Sequence, residues 1–328
     1  MNAPGIRARA LWYVAPGRAE LREEWLPPRA PDQALVRTRA TALSRGTERL
    51  VLEGRVPASQ HDTMRAPLMG GEFPFPVKYG YCAMGVVEEG PEALTGRRVF
   101  VLHPHQDRFL APAAMCVPVP EAVPDHRAVL AANMETALNI VWDARPLPGE
   151  RCLVIGAGVV GLLVAALLAR MPGIAPTVVD LDPSRAALAE SLGARFARPG
   201  DAPAEQELVV HASASAAGLR LALDRAGFEA RIVEASWHGD RAVPLPLGEA
   251  FHSRRLSIIG SQVGSVAPAM RGRRTHAERL ALALELLEDP RLDALCAPVA
   301  RFEALPAALP ALLAAGSGAP PCPVVTYI

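Results

Sequence analysis

The first 120 residues contain short apolar segments made of residues that favour strands. Clusters of proline, glycine and charged residues separate them at irregular intervals, which is typical of strands joined by turns. The segments lie at 10–14, 34–43, 84–90 and 97–103. This pattern predicts a compact all-β unit. From 125 to 144 the apolar positions follow helical spacing instead and predict a helix.

From residue 151 onwards, short apolar segments alternate with segments of helical spacing. The predicted strands lie at 152–155, 177–182, 207–213, 231–237 and 256–262, with a closing strand at 324–328. The predicted helices lie at 159–170, 183–194 and 276–289. Strands that alternate with helices indicate a parallel sheet covered on both faces, so the expected fold class is α/β with a doubly wound sheet.

The composition restricts the class of protein. The chain has 328 residues, 34 of them basic and 34 acidic, and half of them are apolar. Such a chain is long enough for two domains and too apolar to be disordered. Its balanced charge provides no electrostatic footprint for nucleic acid or an anionic membrane, so we expect neither as a partner. The five cysteines form no C-x-x-C pair, which argues against a disulfide framework or a zinc ribbon.

One uncharged segment tests whether the chain enters a membrane. Residues 152–169 contain 18 residues without a charge, the lower limit for a membrane-spanning helix. Three glycines interrupt this segment, and Arg170 and Pro172 follow it. A buried strand, a turn and a buried helix explain the segment better. Because the N-terminus also lacks the pattern of a signal peptide, we expect a cytoplasmic protein.

A glycine-rich turn follows the strand at 152–155. The segment Gly156-Ala157-Gly158-Val159-Val160-Gly161 fits G-x-G-x-x-G and has a strand before it and a helix after it. Gly156 permits the tight turn, Gly158 lets a pyrophosphate approach the backbone, and Gly161 lets helix and strand pack closely. The helix start, including Val159 and Val160, offers free N–H groups to phosphates. The turn therefore predicts a dinucleotide site.

An acidic residue at the end of the next strand indicates which dinucleotide binds. Asp180 lies where a carboxylate can accept hydrogen bonds from a ribose, and it would repel a 2′-phosphate. We therefore expect NAD. Arg185 could bind a 2′-phosphate, which leaves NADP open as the alternative.

Several short motifs resemble one enzyme family. Arg45-Gly46-Thr47-Glu48 is similar to the Cys-Gly-Thr-Asp segment of zinc alcohol dehydrogenases in the medium-chain dehydrogenase/reductase family, and residues 80–87 are similar to Gly-His-Glu-x-x-Gly-x-Val. Thr136-Ala137-Leu138 and Gly260-Ser261 match the family as well. Residues 44–48, 73–81 and 103–106 further resemble its bacteriochlorophyllide hydroxyethyl dehydrogenase-like branch.

The resemblance implies a domain organisation. It implies a GroES-like β-barrel catalytic domain over residues 1–125 and a Rossmann NAD(P)-binding domain over residues 126–266. Residues 267–328 would return to complete the catalytic domain. The resemblance also implies a homodimer, and it places Thr136 near the nicotinamide.

The family's zinc ligands are missing from the matching positions. Arg45, or Ser44 if the register slips by one residue, takes the position of a cysteine, Tyr81 that of a histidine, and Ala132 that of the third ligand. None of these is a good zinc ligand. The four-cysteine lobe of the structural zinc is absent from the sequence too. We therefore expect no zinc, and the alternative is a replacement site built from Cys82, His103, His105 and Glu48.

Without a metal, side chains must stabilise the charge that develops on the substrate oxygen during hydride transfer. Tyr81 is the first candidate for the proton donor, and Lys78 could lower its pKa if the two side chains converge. Thr47 matches the family's proton-relay hydroxyl. His103 or His105 could act as a proton donor or relay, because the pKa of histidine suits that role.

The preferred function is a zinc-independent, NAD(P)-dependent oxidoreductase that acts on a secondary alcohol or its ketone. One alternative is an NADPH-dependent quinone or enone reductase, which needs no metal either. Another is a nucleotide-binding sensor or partner protein without turnover. His211 and His238 lie on or beside the strands of the Rossmann domain, and we expect them to be structural.

Overall fold

A computed structural model describes residues 5–314, 316 and 318–327. The strands are β1 (Ile6–Ala15), β2 (Arg18–Leu26), β3 (Gln33–Ala42), β4 (Gly70–Gly71), β5 (Val77–Lys78), β6 (Ala83–Glu89), β7 (Arg98–Val101), β8 (Arg108–Pro112), β9 (Val117–Pro118), β10 (Cys152–Ile155), β11 (Thr177–Val179), β12 (Arg195–Ala197), β13 (Gln206–His211), β14 (Ala226–Glu234), β15 (Ser257–Gly260), β16 (Cys296–Arg301) and β17 (Cys322–Thr326). The helices are α1 (Arg45–Leu52), α2 (Asp125–Ala128), α3 (Ala131–Ala144), α4 (Val159–Leu168), α5 (Ala186–Ser191), α6 (Ala216–Arg225), α7 (His276–Leu286) and α8 (Leu305–Leu313).

The chain divides into two compact units. Unit 1 comprises Met1–Ala132 and Leu280–Ile328, and unit 2 comprises Asn133–Arg279. These bounds differ from the expected divisions at residues 125 and 266. In the structure the chain passes from one unit to the other inside two helices, after Ala132 in α3 and after Arg279 in α7.

Unit 1 contains two sheets. One has the strand order β2-β1-β5-β4, and the other has the order β16-β17-β3-β6-β7-β9, with β8 paired to β3. Pairing is antiparallel except between β16 and β17. Alternating small and branched side chains of these strands form the core, for example Ala34, Val36, Val87, Val99 and Phe109. The C-terminal segment thus returns to this unit as the resemblance implied.

Unit 2 contains one six-stranded parallel sheet with the order β12-β11-β10-β13-β14-β15. This is the order of a Rossmann sheet. The central strand β10 is buried along its whole length. Helix α6 packs its apolar side chains against the sheet, since Leu219 and Leu223 lie in one core cluster with Val209 and Ile232. The polar groups at the carboxyl ends of the strands therefore lie on a sheet that is packed against a helix.

Several predicted elements have different bounds in the structure. The helix expected at 125–144 is divided into α2 and α3, and the helix expected at 183–194 is a 3₁₀ turn at Pro183–Arg185 followed by α5. The closing strand is β17, which ends at Thr326, and residue 328 lies outside the described residues. Among the elements that the sequence did not predict are β2, β16, α1, α6 and α8.

Candidate functional site

The glycine-rich turn between β10 and α4 has little space for side chains at two of its three glycines. Gly156 has a φ of +110°, and a Cβ there would lie 2.9 Å from the backbone of Ala212. A Cβ on Gly161 would lie 1.9 Å from the carbonyl oxygen of Gly156. At Gly158, by contrast, no described atom lies within 4 Å of a Cβ position. The turn is therefore closed on the protein side and open at Gly158, where a phosphate needs to approach the backbone.

The first residues of α4 face the same open side. Gly158 is the residue before the helix and is exposed, and Val159 and Val160 are half-buried, whereas the preceding strand is buried. The N–H groups of the first helical turn have no acceptor within the helix and carry partial positive charge. The predicted phosphate-binding residues are thus brought together in a geometry that can hold a pyrophosphate.

Asp180 lies beside this turn. Its Oδ2 accepts a hydrogen bond of 2.7 Å from the N–H of Ala157, and its Oδ1 accepts one of 3.0 Å from the N–H of Asp182. Arg185 is also near, but its guanidinium is paired with Asp182 at 3.3 Å. A carboxylate anchored to the turn is suited to bind ribose hydroxyls, and the nearby cation is engaged by a second carboxylate.

Thr136 lies on α3 in unit 2. It is the one half-buried residue of 131–140, and the other residues of this stretch are buried. Glu135, next to it, binds the buried guanidinium of Arg279 at 3.0 Å, which also donates to Asn139. Glu135 therefore braces its helix, while Thr136 remains half-buried.

In unit 1, three hydroxyl groups meet at the start of α1. The phenol of Tyr81 donates a hydrogen bond to Oγ of Ser44 and is also hydrogen-bonded to Thr47. Ser44 precedes the first residue of the helix, and Thr47 lies in its first turn. The structure therefore brings together two predicted residues, Tyr81 and Thr47, with Ser44, which the sequence suggested only as an alternative zinc position.

The phenol of Tyr81 is a proton donor rather than a base at neutral pH. Burial raises the pKa of Tyr81 well above its ordinary value, and Cys82 and Glu48 raise it further, although the hydrogen bonds with Ser44 and Thr47 oppose the shift. The expectation that Lys78 lowers this pKa is wrong. The ammonium group of Lys78 instead donates to Glu24 at 2.7 Å and to Gln106 at 3.0 Å.

A buried carboxylate lies behind the hydroxyl groups. Glu48 is fully buried, and it accepts hydrogen bonds from the phenol of Tyr13 at 2.6 Å and from the N–H of Ser44 at 2.7 Å. Nε2 of His105 lies 3.1 Å from Glu48, and Nδ1 lies 2.7 Å from Oγ1 of Thr41. Glu48 thus holds the turn and links Tyr13 and His105 to it. The sequence did not indicate Tyr13 or Thr41.

His105 needs space that only glycine leaves. Gly80 has a φ of +128°, and a Cβ there would lie 2.9 Å from Cδ2 of His105. Gly80 immediately precedes Tyr81, so the same short segment makes room for the imidazole and supplies the phenol. The close contact between Gly80 and His105 marks the site, but a sequence search for chemically active residue types does not consider glycine.

His103 lies in an apolar environment. Its ring stacks on Phe109 with 3.7 Å between the ring centroids, and Nδ1 lies 2.9 Å from the carbonyl oxygen of Pro104. Burial lowers the pKa of His103 to about 3. The imidazole therefore stays neutral at physiological pH and cannot act there as a charged acid. We correct the expectation of a proton-donating His103, and His105 is the histidine that joins the network of Glu48.

The positions that match the family's zinc ligands do not form a metal-binding set. The guanidinium of Arg45 donates to the carbonyl oxygens of Leu312 at 3.2 Å and Ala314 at 3.0 Å. The Ser44 hydroxyl and the protonated Tyr81 phenol bind each other, and Ala132 offers only a methyl group. These residues lack the thiolate, imidazole and carboxylate groups that zinc prefers, so they do not fit a zinc ion.

A different group of side chains has the spacing of metal ligands. Among the residues that the structure describes, His211, Glu234 and His238 are the cluster of three or more His, Cys, Asp or Glu side chains whose donor atoms all lie within 4.8 Å of one another. The alternative set of Cys82, His103, His105 and Glu48 is not such a cluster there. In the same described part of the chain, no helix has both the length and the apolar character needed to cross a membrane.

Comparisons with known proteins agree with this geometry. No protein-family profile matches the chain. An uncharacterised zinc-type alcohol dehydrogenase-like protein of Haemophilus influenzae is 30% identical over 169 residues, which are 48% of this chain and 48% of that protein. The matches to curated relatives thus extend over about half of their length or less.

Solved structures share the fold over nearly the whole chain. L-idonate 5-dehydrogenase from Escherichia coli has a TM-score of 0.79 at 14% identity and covers 100% of both chains. An Escherichia coli alcohol dehydrogenase complexed with NADH has a TM-score of 0.76 at 16% identity and covers 98% of this chain and 100% of its own.

Partial sequence similarity and fold point to one class of protein. The chain is similar over about half of its length to a zinc-type alcohol dehydrogenase-like protein, and it shares the fold of solved dehydrogenases. The predicted fold class, a GroES-like domain with a Rossmann domain, is confirmed. The branch within the superfamily stays a prediction.

Proposed function

We propose that this chain is an NAD(P)-dependent oxidoreductase that transfers hydride between the nicotinamide and a secondary alcohol or its ketone without zinc. The observation that carries the proposal is the turn at Gly156–Gly161 with the carboxylate of Asp180 hydrogen-bonded to it. Similarity to a zinc-type alcohol dehydrogenase-like protein over about half of the chain supports it, and so does the fold shared with a dehydrogenase complexed with NADH. When bound, the cofactor supplies or accepts the hydride.

The residues of unit 2 would bind and orient the cofactor. The N–H groups at the start of α4 hold the pyrophosphate, and Asp180 accepts hydrogen bonds from the adenosine ribose. Because Asp180 repels a 2′-phosphate and Arg185 is paired with Asp182, we propose NAD in preference to NADP. Thr136 contacts the cofactor from α3.

The hydroxyl groups of unit 1 would manage the proton. Tyr81 would donate its proton to the alkoxide oxygen that develops when a ketone is reduced. In the reverse direction it would take the alcohol proton as its own proton passes to Ser44 or Thr47. Ser44 and Thr47 orient the phenol and pass the proton onwards. Glu48 is a positioning residue, since its hydrogen bond to the N–H of Ser44 sets where the hydroxyl group lies.

The zinc-free part of the proposal rests on the ligand positions. Arg45 is turned towards the carbonyl oxygens of Leu312 and Ala314, and Tyr81 is bonded to Ser44. The phenol takes the role that a metal has in other dehydrogenases, which is to stabilise negative charge on the substrate oxygen.

The test is a screen of secondary alcohols, ketones, enones and quinones with NAD, NADH and NADPH, followed by the absorbance of the reduced cofactor. We expect NAD-dependent turnover of an alcohol and ketone pair that persists after dialysis against a chelator. Activity confined to NADPH and enones would replace the proposal by a quinone or enone reductase. Tight NAD binding with no turnover would replace it by a nucleotide sensor. A homodimer, checked by light scattering, remains part of the proposal.

A further inference from the structure

We propose that His211, Glu234 and His238 form a binding site for a transition-metal ion of the zinc type. His211 and Glu234 are the last residues of the adjacent parallel strands β13 and β14, and His238 lies in the following loop. The donor atoms of the three side chains lie within 4.8 Å of one another. All three side chains belong to unit 2, and nothing in the proposed function uses them.

The strongest sign of a missing ligand is an unpaired nitrogen. Nε2 of His238 is buried and has no hydrogen-bond partner. It lies 3.6 Å from Oε2 of Glu234, a distance too long for a hydrogen bond but ordinary for two ligands of one ion. Buried polar atoms normally have a partner, so an unpaired one indicates a group that completes the site.

The other two ligands are oriented by their surroundings. Nε2 of His211 lies 2.7 Å from Oγ of Ser213, and Nδ1 is hydrogen-bonded to Glu234. With an ion bound, Nε2 would donate its N–H to Ser213 and Nδ1 would direct its lone pair to the ion. Oε1 of Glu234 accepts a hydrogen bond of 2.7 Å from the N–H of Ser236, which leaves Oε2 for the metal. Such partners orient ligands in known metal sites.

Glu234 and His211 share a hydrogen bond that a bound ion would replace. Nδ1 of His211 lies 2.6 Å from Oε2 of Glu234, a hydrogen-bond distance. Binding of a tetrahedral ion would widen this separation to roughly 3.4 Å, which follows from ligand bonds of about 2.1 Å.

A close backbone contact preserves the arrangement. A Cβ on Gly218 in α6 would lie 2.8 Å from Nε2 of His211 and 2.3 Å from Oγ of Ser213. The side chains of Glu234 and His238 are each 16% exposed, so an ion can enter from solvent.

Two imidazoles and one carboxylate select Zn²⁺, Co²⁺ or Ni²⁺ over Mg²⁺ and Ca²⁺, which prefer oxygen ligands. A water molecule would complete a four-coordinate ion. The ion would fasten the loop after β14 to the end of β13.

The test is calorimetric titration of the full chain with Zn²⁺ after removal of metals by a chelator. A parallel titration with Co²⁺ is followed by visible absorbance. We expect one ion per chain and a tetrahedral Co²⁺ spectrum. His238→Gln and Glu234→Gln should each weaken Zn²⁺ binding by roughly a hundredfold, because loss of a group that merely orients a ligand already costs about ten- to a hundredfold. His252→Gln, which changes an exposed histidine of the same unit, should bind like the wild type.

Circular dichroism establishes that the variants are folded. Absence of Zn²⁺ binding by the wild type, or equal binding by the wild type and His238→Gln, would overturn the metal site. Tyr81→Phe should bind Zn²⁺ like the wild type. If this variant lost Zn²⁺ binding, the ion would belong to unit 1, and the proposed site would also be overturned. Failure of the oxidoreductase proposal appears separately, as a lack of cofactor binding or turnover, with Zn²⁺ binding unchanged.

Discussion

The phenol of Tyr81 donates a hydrogen bond to the hydroxyl of Ser44, with 2.5 Å between the two oxygens. Ser44 is the residue before α1, and its own N–H is bound by the buried Glu48. A protonated phenol is therefore joined to a second hydroxyl group whose position is set by a buried carboxylate. Tyr81, and Ser44 if the register slips by one residue, are positions that the sequence resemblance matches to zinc ligands.

Replacement of Tyr81 by phenylalanine tests the proton donor. Tyr81→Phe should lower kcat by about 10²- to 10⁴-fold, the range for loss of general acid catalysis, and leave the Kd for NAD unchanged. The matched control is Tyr79→Phe, which removes the hydroxyl of a buried tyrosine whose ring contacts Tyr81 edge-on. Equal rates for wild type and Tyr81→Phe would remove the phenol from the mechanism.

Asp180→Ala tests the choice of cofactor. The variant should bind NAD more weakly and NADP less unfavourably, because the carboxylate that binds ribose and repels a 2′-phosphate is gone. The measurement is the ratio of kcat/KM for NAD to that for NADP. Asp201→Ala, at an exposed position of the same unit, should keep the wild-type ratio. An unchanged ratio in Asp180→Ala would show that the ribose binds elsewhere.

Two glycines of the turn should respond differently to alanine. Gly161→Ala places a Cβ 1.9 Å from the carbonyl oxygen of Gly156, so the turn must move, and both thermal stability and NAD binding should fall. Gly158→Ala meets no described atom within 4 Å, so stability should stay near the wild type while NAD binding weakens. Differential scanning calorimetry and NAD titration separate the two effects. Normal NAD binding by Gly158→Ala would contradict the proposed path of the pyrophosphate.

His103 should make stability depend on pH. Its pKa is about 3 in the folded protein and 6.5 in a free side chain, so between these values the unfolded chain binds one more proton. The contribution of His103 to the free energy of unfolding is therefore fully present above pH 6.5. It is lost as the pH falls, by about 1.4 kcal/mol per pH unit down to about pH 3.

Denaturant unfolding of wild type and His103→Gln between pH 4 and 7 would measure this dependence. His103→Gln should lack the pH-dependent contribution of the buried imidazole. The difference in unfolding free energy between wild type and variant should therefore change with pH. The exposed His252→Gln serves as the control. A difference that stays constant over this range would contradict the buried, neutral state of His103.

Local patterns predicted the strand, turn and helix around Gly156 well. Gly156, Gly161 and Asp180 lie within a strand-turn-helix-strand segment, and the spacing of such a segment already determines how its parts meet. Helix α6 was missed, although Ser215 caps it and its buried residues Leu219, Ala222 and Leu223 follow helical spacing. The predicted bounds of short strands were approximate.

The sequence by itself determined the two-domain architecture, the glycine-rich turn and the residue types at the positions that resemble zinc ligands, since these depend on residue type and on short spacings. Only the tertiary structure decided where side chains point. Pairing of β1 with β5 puts Lys78 opposite Trp12 and within reach of Glu24, away from the role expected for it. The parallel register of β13 and β14 places His211 opposite Glu234. Such contacts join segments far apart in the chain, and their geometry follows from strand register and packing, which no local pattern encodes.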